Sequence, residues 1–415
     1  MSVSEGVSAR VAYKAYSTGI ITSNAQAVSS SDPGASGAQI LRRTGCTLSL
    51  SKDTYASNEV RTDRQIGDFR HGVRRVQGSI TGELSPGTYW DFIEAACRGT
   101  ETSAISKTES DYTSVTADNA TSKFTFGGGN PVTDGFKVGM VIRFTNLSET
   151  GNNSKNFMIT GFGGSNNREV TVFPAPTTMS SDTAFGVASI GKRVIVPASG
   201  HVSRKFAVET YHADLDIARL FTECRVGGVN LGLPASGMST IEIPMMGRDM
   251  ETYSAGSAPF FSSPTDVTTT GIAAAVNGLI RVQGVAQGVI TGAQVNMALN
   301  PSADPVVGQN FVPEIFLGRA NVTGQLTAFL EDLTLVDYFR NETEVSILLQ
   351  LLTSSADASD FITIFMPKVK FGDAQVGIEG EGGVPITMPF QALRYGGSTA
   401  GVDTTTIAYC DSAAA

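Results

Sequence analysis

The stretch "CRVGGVNLGLPASGMSTIEIPM", residues 224 to 245, returns 145 residues further on as "VKFGDAQVGIEGEGGVPITMPF", residues 369 to 390. The two align without a gap: Gly227 falls on Gly372, Gly232 on Gly377, Gly237 on Gly382, Ile241 on Ile386 and Pro244 on Pro389. Other positions agree by chemistry, Arg225 with Lys370, Asn230 with Gln375, Leu233 with Ile378 and Met245 with Phe390. Each reads as two strands joined by a turn. A hairpin written twice requires the chain to hold two copies of whatever unit contains it.

The repetition extends upstream. "SITGELS" (79–85) aligns with "NVTGQLT" (321–327), setting Gly82 on Gly324, and "TGCTLSLS" (44–51) aligns with "TGAQVNMA" (291–298). All four alternate with the period of two that marks a strand with one buried face. Short helical patterns follow, "TYWDFIEAA" at 88–96 and "DLTLVDYFRNE" at 332–342. Trp90, the single tryptophan, is expected to pack its helix on the sheet. The copies differ at one place. Asp91 lies 135 residues before Val226, whereas Asp337 lies 34 before Phe371, so the first copy carries about 101 extra residues. Most of them read as strands such as "MVIRFTNL" and "EVTVFPA" between Gly, Asn, Ser and Pro turns. A small all-β domain lodged in a surface loop is expected there, since loop tips tolerate insertion.

The expected fold class is mainly β, two tandem β domains with one short helix each plus the inserted all-β domain. The boundaries expected are an N-terminal arm at 1–39, a discontinuous first domain at 40–105 and 193–250, and the insert at 106–192. A linker at 251–275 and a second domain at 276–415 complete the chain.

Composition excludes several functions. Only 17% of residues are charged and the net charge is −9, so the basic face that grips phosphate backbones is not expected. No stretch approaches a membrane span and the N-terminus has no signal-like apolar run, which predicts synthesis in a cytoplasm and no membrane partner. Cys46, Cys97, Cys224 and Cys410 match no metal or redox spacing and are expected as free, apolar fillers. Three histidines, a lone H-x-D at His212 and Asp214, and a glycine turn at 127–130 without a lysine leave no catalytic, metal or cofactor site to nominate.

One stretch concentrates charge: "SNEVRTDRQIGDFRHGVRR", 57–75. Asn58, Glu59, Arg61, Asp63, Arg64, Gln65, Asp68, Arg70 and Arg74 are the candidate subunit-interface residues, because arginine forks and carboxylates suit a protein partner.

From that stretch through "VQGSITGELSPGTYWDFIEAACRG", and again over 206–250, the sequence resembles the tail tube (major tail) proteins of long, non-contractile phage tails. Leu233, Pro234, Gly237, Met246, Gly247 and Arg248 occupy the second signature's Leu-Pro, Gly-turn and Met-Gly-basic places. The resemblance implies tail-tube-type β-sandwich or barrel domains that join edge to edge into rings, which stack into a hollow tube for DNA. It implies no enzyme activity and no cofactor, and a place in the virion tail after assembly in the host cytoplasm. The partners it implies are the chain itself, the tape measure protein, the tail terminator and the distal tail protein, with DNA passing unbound. Two fused domains would let three chains, as pseudo-hexameric trimers, fill a six-domain ring. The alternatives are a distal tail, baseplate or tube-terminator protein of the same fold, or a carbohydrate-binding adhesive β protein.

Overall fold

Val, Ile, Leu and Met alternating with Thr, Asn, Gln and Gly leave this chain little choice but two-faced strands. The computed structural model describes residues 4–16, 33–287, 289–377 and 382–414. Ile378 of the repeated hairpin and residues 17–32 of the expected arm lie outside them. The principal strands of the first half are β1 (Ala9–Tyr16), β2 (Gly45–Cys46), β3 (Ser49–Ala56), β4 (Phe69–Glu83) and β5 (Lys192–Ile195). They continue with β6 (Lys205–His212), β7 (Ile217–Val226), β8 (Gly228–Pro234), β9 (Thr240–Gly247) and β10 (Asp249–Ser254). The second half supplies β11 (Gly278–Val282), β12 (Ile290–Ala298), β13 (Asn321–Phe329) and β14 (Val345–Leu352). It ends with β15 (Phe361–Phe371), β16 (Gln375–Val376), β17 (Pro385–Ala392) and β18 (Ala408–Asp411). Helix α1 is Trp90–Cys97 and α2 is Thr334–Arg340. The fold is mainly β: these strands belong to a 20-stranded sheet, and eight strands between Ser106 and Ser189 form a second sheet.

The pairings of the two halves coincide register for register. Arg225↔Met246 and Val226↔Met245 become Lys370↔Gln391 and Phe371↔Phe390 when each number advances by 145. Asn230↔Glu242 and Leu231↔Ile241 become Gln375↔Thr387 and Val376↔Ile386 in the same way. The strand before each hairpin carries the same irregularity: Phe206↔Cys224 then Val208↔Phe221, against Val345↔Val369 then Ile347↔Met366. The "TGCTLSLS" and "TGAQVNMA" strands also agree, with Cys46↔Ile80 and Leu50↔Val76 answering Ala293↔Leu326 and Met297↔Val322.

That agreement corrects one alignment. Gly78, not Gly82, stands opposite Met245 as Gly324 stands opposite Phe390. The motif match is displaced by four residues, because glycines recur on one face of β4 and an even slip leaves every side chain on its own face. The N-terminal segment also departs from expectation. β1 is no arm: it pairs with β6 from Ala9↔His212 to Tyr16↔Lys205, and Val11, Ala12 and Tyr13 are buried. Val11, Tyr13 and Lys14 supply what a strand beside a core needs, and the Ser-rich stretch behind them masks that signal. Within the expected linker, residues 251–254 continue β10 along β7, and Phe261 is fully buried.

Helix α1 is buried on nearly every side, seven of its eight residues being out of solvent. Trp90 lies 6.2 Å, ring to ring, from Tyr409 of the last strand, and Phe92 stacks on Phe206 at 4.8 Å. Asp91 in the first turn suits the helix dipole and accepts the Tyr13 hydroxyl at 3.0 Å. Arg98 closes the helix in the left-handed conformation. All four cysteines are free thiols, and burial pushes Cys97 up to about 12.

The 106–189 sheet hangs from a two-stranded stem, where Thr102 and Arg193 exchange backbone hydrogen bonds of 2.7 and 3.1 Å. Its phenylalanines, Phe124, Phe126, Phe144, Phe157 and Phe185 among them, fill its own core. A second contact ties it to the other half of the chain. Val138, Val141 and Met158 share a buried cluster with Leu348, Phe361 and Phe365, and Asn156 donates to the Ser359 carbonyl at 2.7 Å. Truncating Phe206 to alanine should cost about 3–5 kcal/mol in urea unfolding, since it removes a buried ring packed on Phe92 and Tyr13. Replacing residues 105–190 by a Gly/Ser linker should give protein that aggregates on light scattering, because Leu348 and Phe365 lose their cover. Adding Leu348→Thr and Phe365→Thr to that deletion should restore a monodisperse product.

Candidate functional site

Six strands run side by side in the order β4, β9, β8, β12, β13, β17, every neighbour antiparallel. Their alternation sorts residues onto two faces. One face is core: Ile80, Ile243, Leu231, Val295, Leu326 and Met388 are all buried in a single cluster. The other face carries rows of short polar side chains. One row reads Thr81, Glu242, Asn230, Asn296, Thr323, Gln391 across the six strands; the next reads Glu83, Thr240, Gly232, Gln294, Gln325, Pro389. Ser79, Pro244, Pro234, Gly292, Thr327 and Thr387 extend it.

Along the paired stretches this face holds two carboxylates, Glu83 and Glu242, and no lysine or arginine. Several polar groups bind one another: Asn230 donates to Glu242 at 3.3 Å, and Gln391 donates to Asn321 at 3.0 Å. Two shallow troughs of about 290 and about 560 Å³ cross it, lined by Thr81, Asn230, Gly232, Thr240, Gln294 and Gln325 among others. Neither contains a histidine, a cysteine or a cation. This is a smooth hydroxyl and amide surface, with acids as its only charges. The signal for it was in the repeats, where Thr, Asn, Gln and Glu alternate with the apolar residues, but the sequence reading gave none of these positions a functional role.

The arginine-rich segment lies elsewhere. β3 and β4 form a long hairpin whose end, 57–68, stands out from the sheet with almost every residue exposed. Arg61 forks onto Asp63 with two 3.2 Å hydrogen bonds and reaches Glu59 at 3.7 Å; Arg70 binds Asp68 at 2.8 Å. The Arg61 hydrogen bond holds the Asp63 carboxyl below its ordinary range. Asn58, Arg64 and Gln65 are exposed on the same tip. Arg74 is separated from them, tied to Asp249 at 2.6 Å in a half-buried pair at the hairpin base. Large apolar side chains share the exposed tip: Val60 is 100% and Ile66 74% accessible.

The counterpart segment, 302–320, folds back on the first half. Phe311 is buried under the Arg248 guanidinium, 4.2 Å from the ring centre. Glu314 binds Arg225 and lies 3.6 Å from Lys205, which in turn holds Glu223 at 2.6 Å. Burial raises the Glu314 carboxyl, but the Arg225 hydrogen bond and the two cations outweigh it and leave it below its ordinary value.

His212 and Asp214 lie together at the N-terminal edge of the sheet. The Ser4 hydroxyl bridges them, at 2.8 Å from His212 Nδ1 and 3.0 Å from Asp214, and Asp214 also accepts the Glu5 amide. Among the described residues no group of three or more His, Cys, Asp or Glu could hold a metal, and no helix is long and apolar enough to cross a membrane.

A continuous antiparallel wall with one core face and one low-charge polar face, beside a projecting hairpin, defines a structural β protein. The chain belongs to the phage tail tube proteins, whose family model matches residues 6–392. No individual curated protein matches it. Membership makes it a structural component of a virion tail.

Proposed function

We propose that this chain is the major tail tube subunit of a long, non-contractile phage tail, and that its polar six-strand face lines the channel for DNA. One observation carries the reading: along its paired stretches the six-strand face has Glu83 and Glu242 as its only charges. DNA bears about one negative charge per 1.7 Å of axis, so lysines or arginines on a channel wall would hold it in place. Neutral amides and hydroxyls offer no such grip, and two acids per chain repel weakly enough for the strand to slide.

The two halves of the chain are two copies of one tube domain, the first interrupted by the 106–192 domain. Their shared registers support this, each half presenting the same wall of strands. A ring of six such domains then takes three chains, with alternating junctions inside and between chains. The projecting 57–68 hairpin, carrying Arg61, Asp63, Arg64, Gln65, Asp68 and Arg70 beside exposed Val60 and Ile66, is the surface that meets a neighbouring subunit. Tape measure protein inside the tube, and terminator and distal tail proteins at its ends, complete the partners. Host-cell cytoplasm is the place of assembly.

Cryo-electron microscopy of the assembled tube tests the stoichiometry. The expected result is threefold symmetry per ring, with three 106–192 domains outside it. Six chains per ring, or six outer domains, would refute the paired-domain reading while leaving the tube intact. The wall is tested on the unassembled chain. Gln294→Lys with Gln325→Lys should preserve the circular dichroism spectrum yet create salt-dependent retention of short duplex DNA, each lysine adding up to about 0.9 to the salt slope. Equal DNA binding by the parent protein would count against the channel assignment.

A further inference from the structure

The chain holds one junction between its halves, and it leaves bare two strand edges that repeat the two sides of that junction. Inside the chain β8 runs antiparallel to β12 over seven pairs, from Gly228↔Ala298 to Pro234↔Gly292. In the second half β16 has the place of β8, because its pairs with β17 are those of β8 with β9 advanced by 145. In the first half the 45–51 stretch has the place of β12, its pairs with β4 answering those of β12 with β13. Among the described residues β3 pairs only with β4, and β16 only with β17. Each edge therefore presents unpaired backbone groups that a second strand could satisfy.

We propose that β16 of one chain adds to the free edge of β3 in a second copy, in the register of the internal β8–β12 junction. This rests on the ring reading above and specifies its contact. Advancing 228 by 145, and setting 298 back by 247, puts Asp373 opposite Ser51, Gln375 opposite Ser49 and Gly377 opposite Thr47. The contact is head to tail, so it repeats from chain to chain until it closes.

Two further observations agree with the same operation. Helix α1 is buried within its own chain, Trp90 meeting Tyr409 of the other half, whereas its counterpart α2 has one buried residue, Leu335. Around α2 and the β16 edge, Val285, Phe329, Leu333 and Val376 stay 40–63% exposed, an apolar patch where the next copy would sit. The internal junction is also locked by Glu314 on Arg225. Glu314 stands seven residues before Asn321, as Asp68 stands seven before Arg75, and Arg225 corresponds to Lys370. The operation thus brings an acid, Asp68, toward a cation, Lys370, across the chain boundary.

Disulfide trapping in assembled particles tests the register. Ser49→Cys with Gln375→Cys should convert the monomer band into covalent multimers on mild oxidation, and Thr47→Cys with Asp373→Cys, four residues out of register, should not. Asn230→Cys with Asn296→Cys, the internal equivalent, should close within a single chain and gives the positive control. For the unaltered protein, amides of 47–51 and 373–377 should exchange about tenfold or more slower in assembled particles than in the free chain. A third arm uses charge: Lys370→Glu should weaken assembly and Asp68→Lys in the same chain should restore it. Particles that form with both edges still exchanging freely, or that trap only the 47/373 pair, would overturn the pairing and leave the tube reading standing. An unaltered protein that stays a single chain under every assembly condition would overturn the ring reading, and the pairing with it.

Discussion

Everything in this molecule depends on keeping the period-two alternation in register across six strands. A slip of one residue in any strand would turn its valines and isoleucines toward the polar side and its threonines and glutamines into the core. Burying an amide without a partner costs about 1–3 kcal/mol, so such a slip in a strand like β13 would expose Val322, Leu326 and Ala328 and bury Thr323, Gln325 and Thr327 together. The apolar face is thus what fixes the polar face. The alternation leaves the second side free to be any polar residue, and along the paired stretches this wall is uncharged there apart from Glu83 and Glu242.

The repeat made much of this legible. Glycines and prolines at fixed spacing, such as Gly227 with Gly372 and Pro244 with Pro389, aligned the hairpins correctly, and at some of these glycines a side chain fits poorly. Gly227 illustrates why: a side chain there would press on the Pro244 carbonyl and the Pro301 ring, both at 3.2 Å. Where glycines are spaced evenly within one strand, as at Gly78 and Gly82, the same signal is ambiguous by four residues, and the alignment slipped. β1 escaped notice because eight residues of ordinary strand precede a polar Ser-rich run. The polar wall escaped for a different reason. Sequence reasoning looked for reactive or charged residues as marks of function, and a surface of amides and hydroxyls with two acids leaves no such mark. The charged 57–75 segment was conspicuous, yet the structure divides it, with Arg61 and Arg70 on an exposed tip and Arg74 locked to Asp249 beneath.

Buried charge has another use here. Lys205, Glu223, Arg225 and Glu314 form a network between the halves, with Lys205 and Arg225 on β6 and β7 and Glu314 on the loop before β13. Removing water from four ions is expensive, and a set of apolar residues would hold the halves together at least as strongly. What ions add is a fixed geometry, since guanidinium and carboxylate meet well only in a narrow range of positions. In the proposed ring, where a domain repeats at a constant angle, fixing the junction matters more than strengthening it.

Fusing two domains changes the physics of ring closure on the proposed model. Joining six separate domains removes five sets of translational and rotational freedom, at several kcal/mol each; joining three fused pairs removes two. Half of the junctions are then formed during folding, at the high effective concentration a covalent link provides. The halves are also released from identity. In the first half the loop between β3 and β4 projects as a charged hairpin, whereas in the second the loop between β12 and β13 lies flat and binds Arg225. The first half alone carries an extra domain, packed on Leu348 and Phe365 of the second and so held at two places. A ring of identical domains would have to carry six such appendages or none. Duplication lets one copy keep the wall intact while the other takes on the appendage, and the shared strand registers are what keep the wall continuous across both.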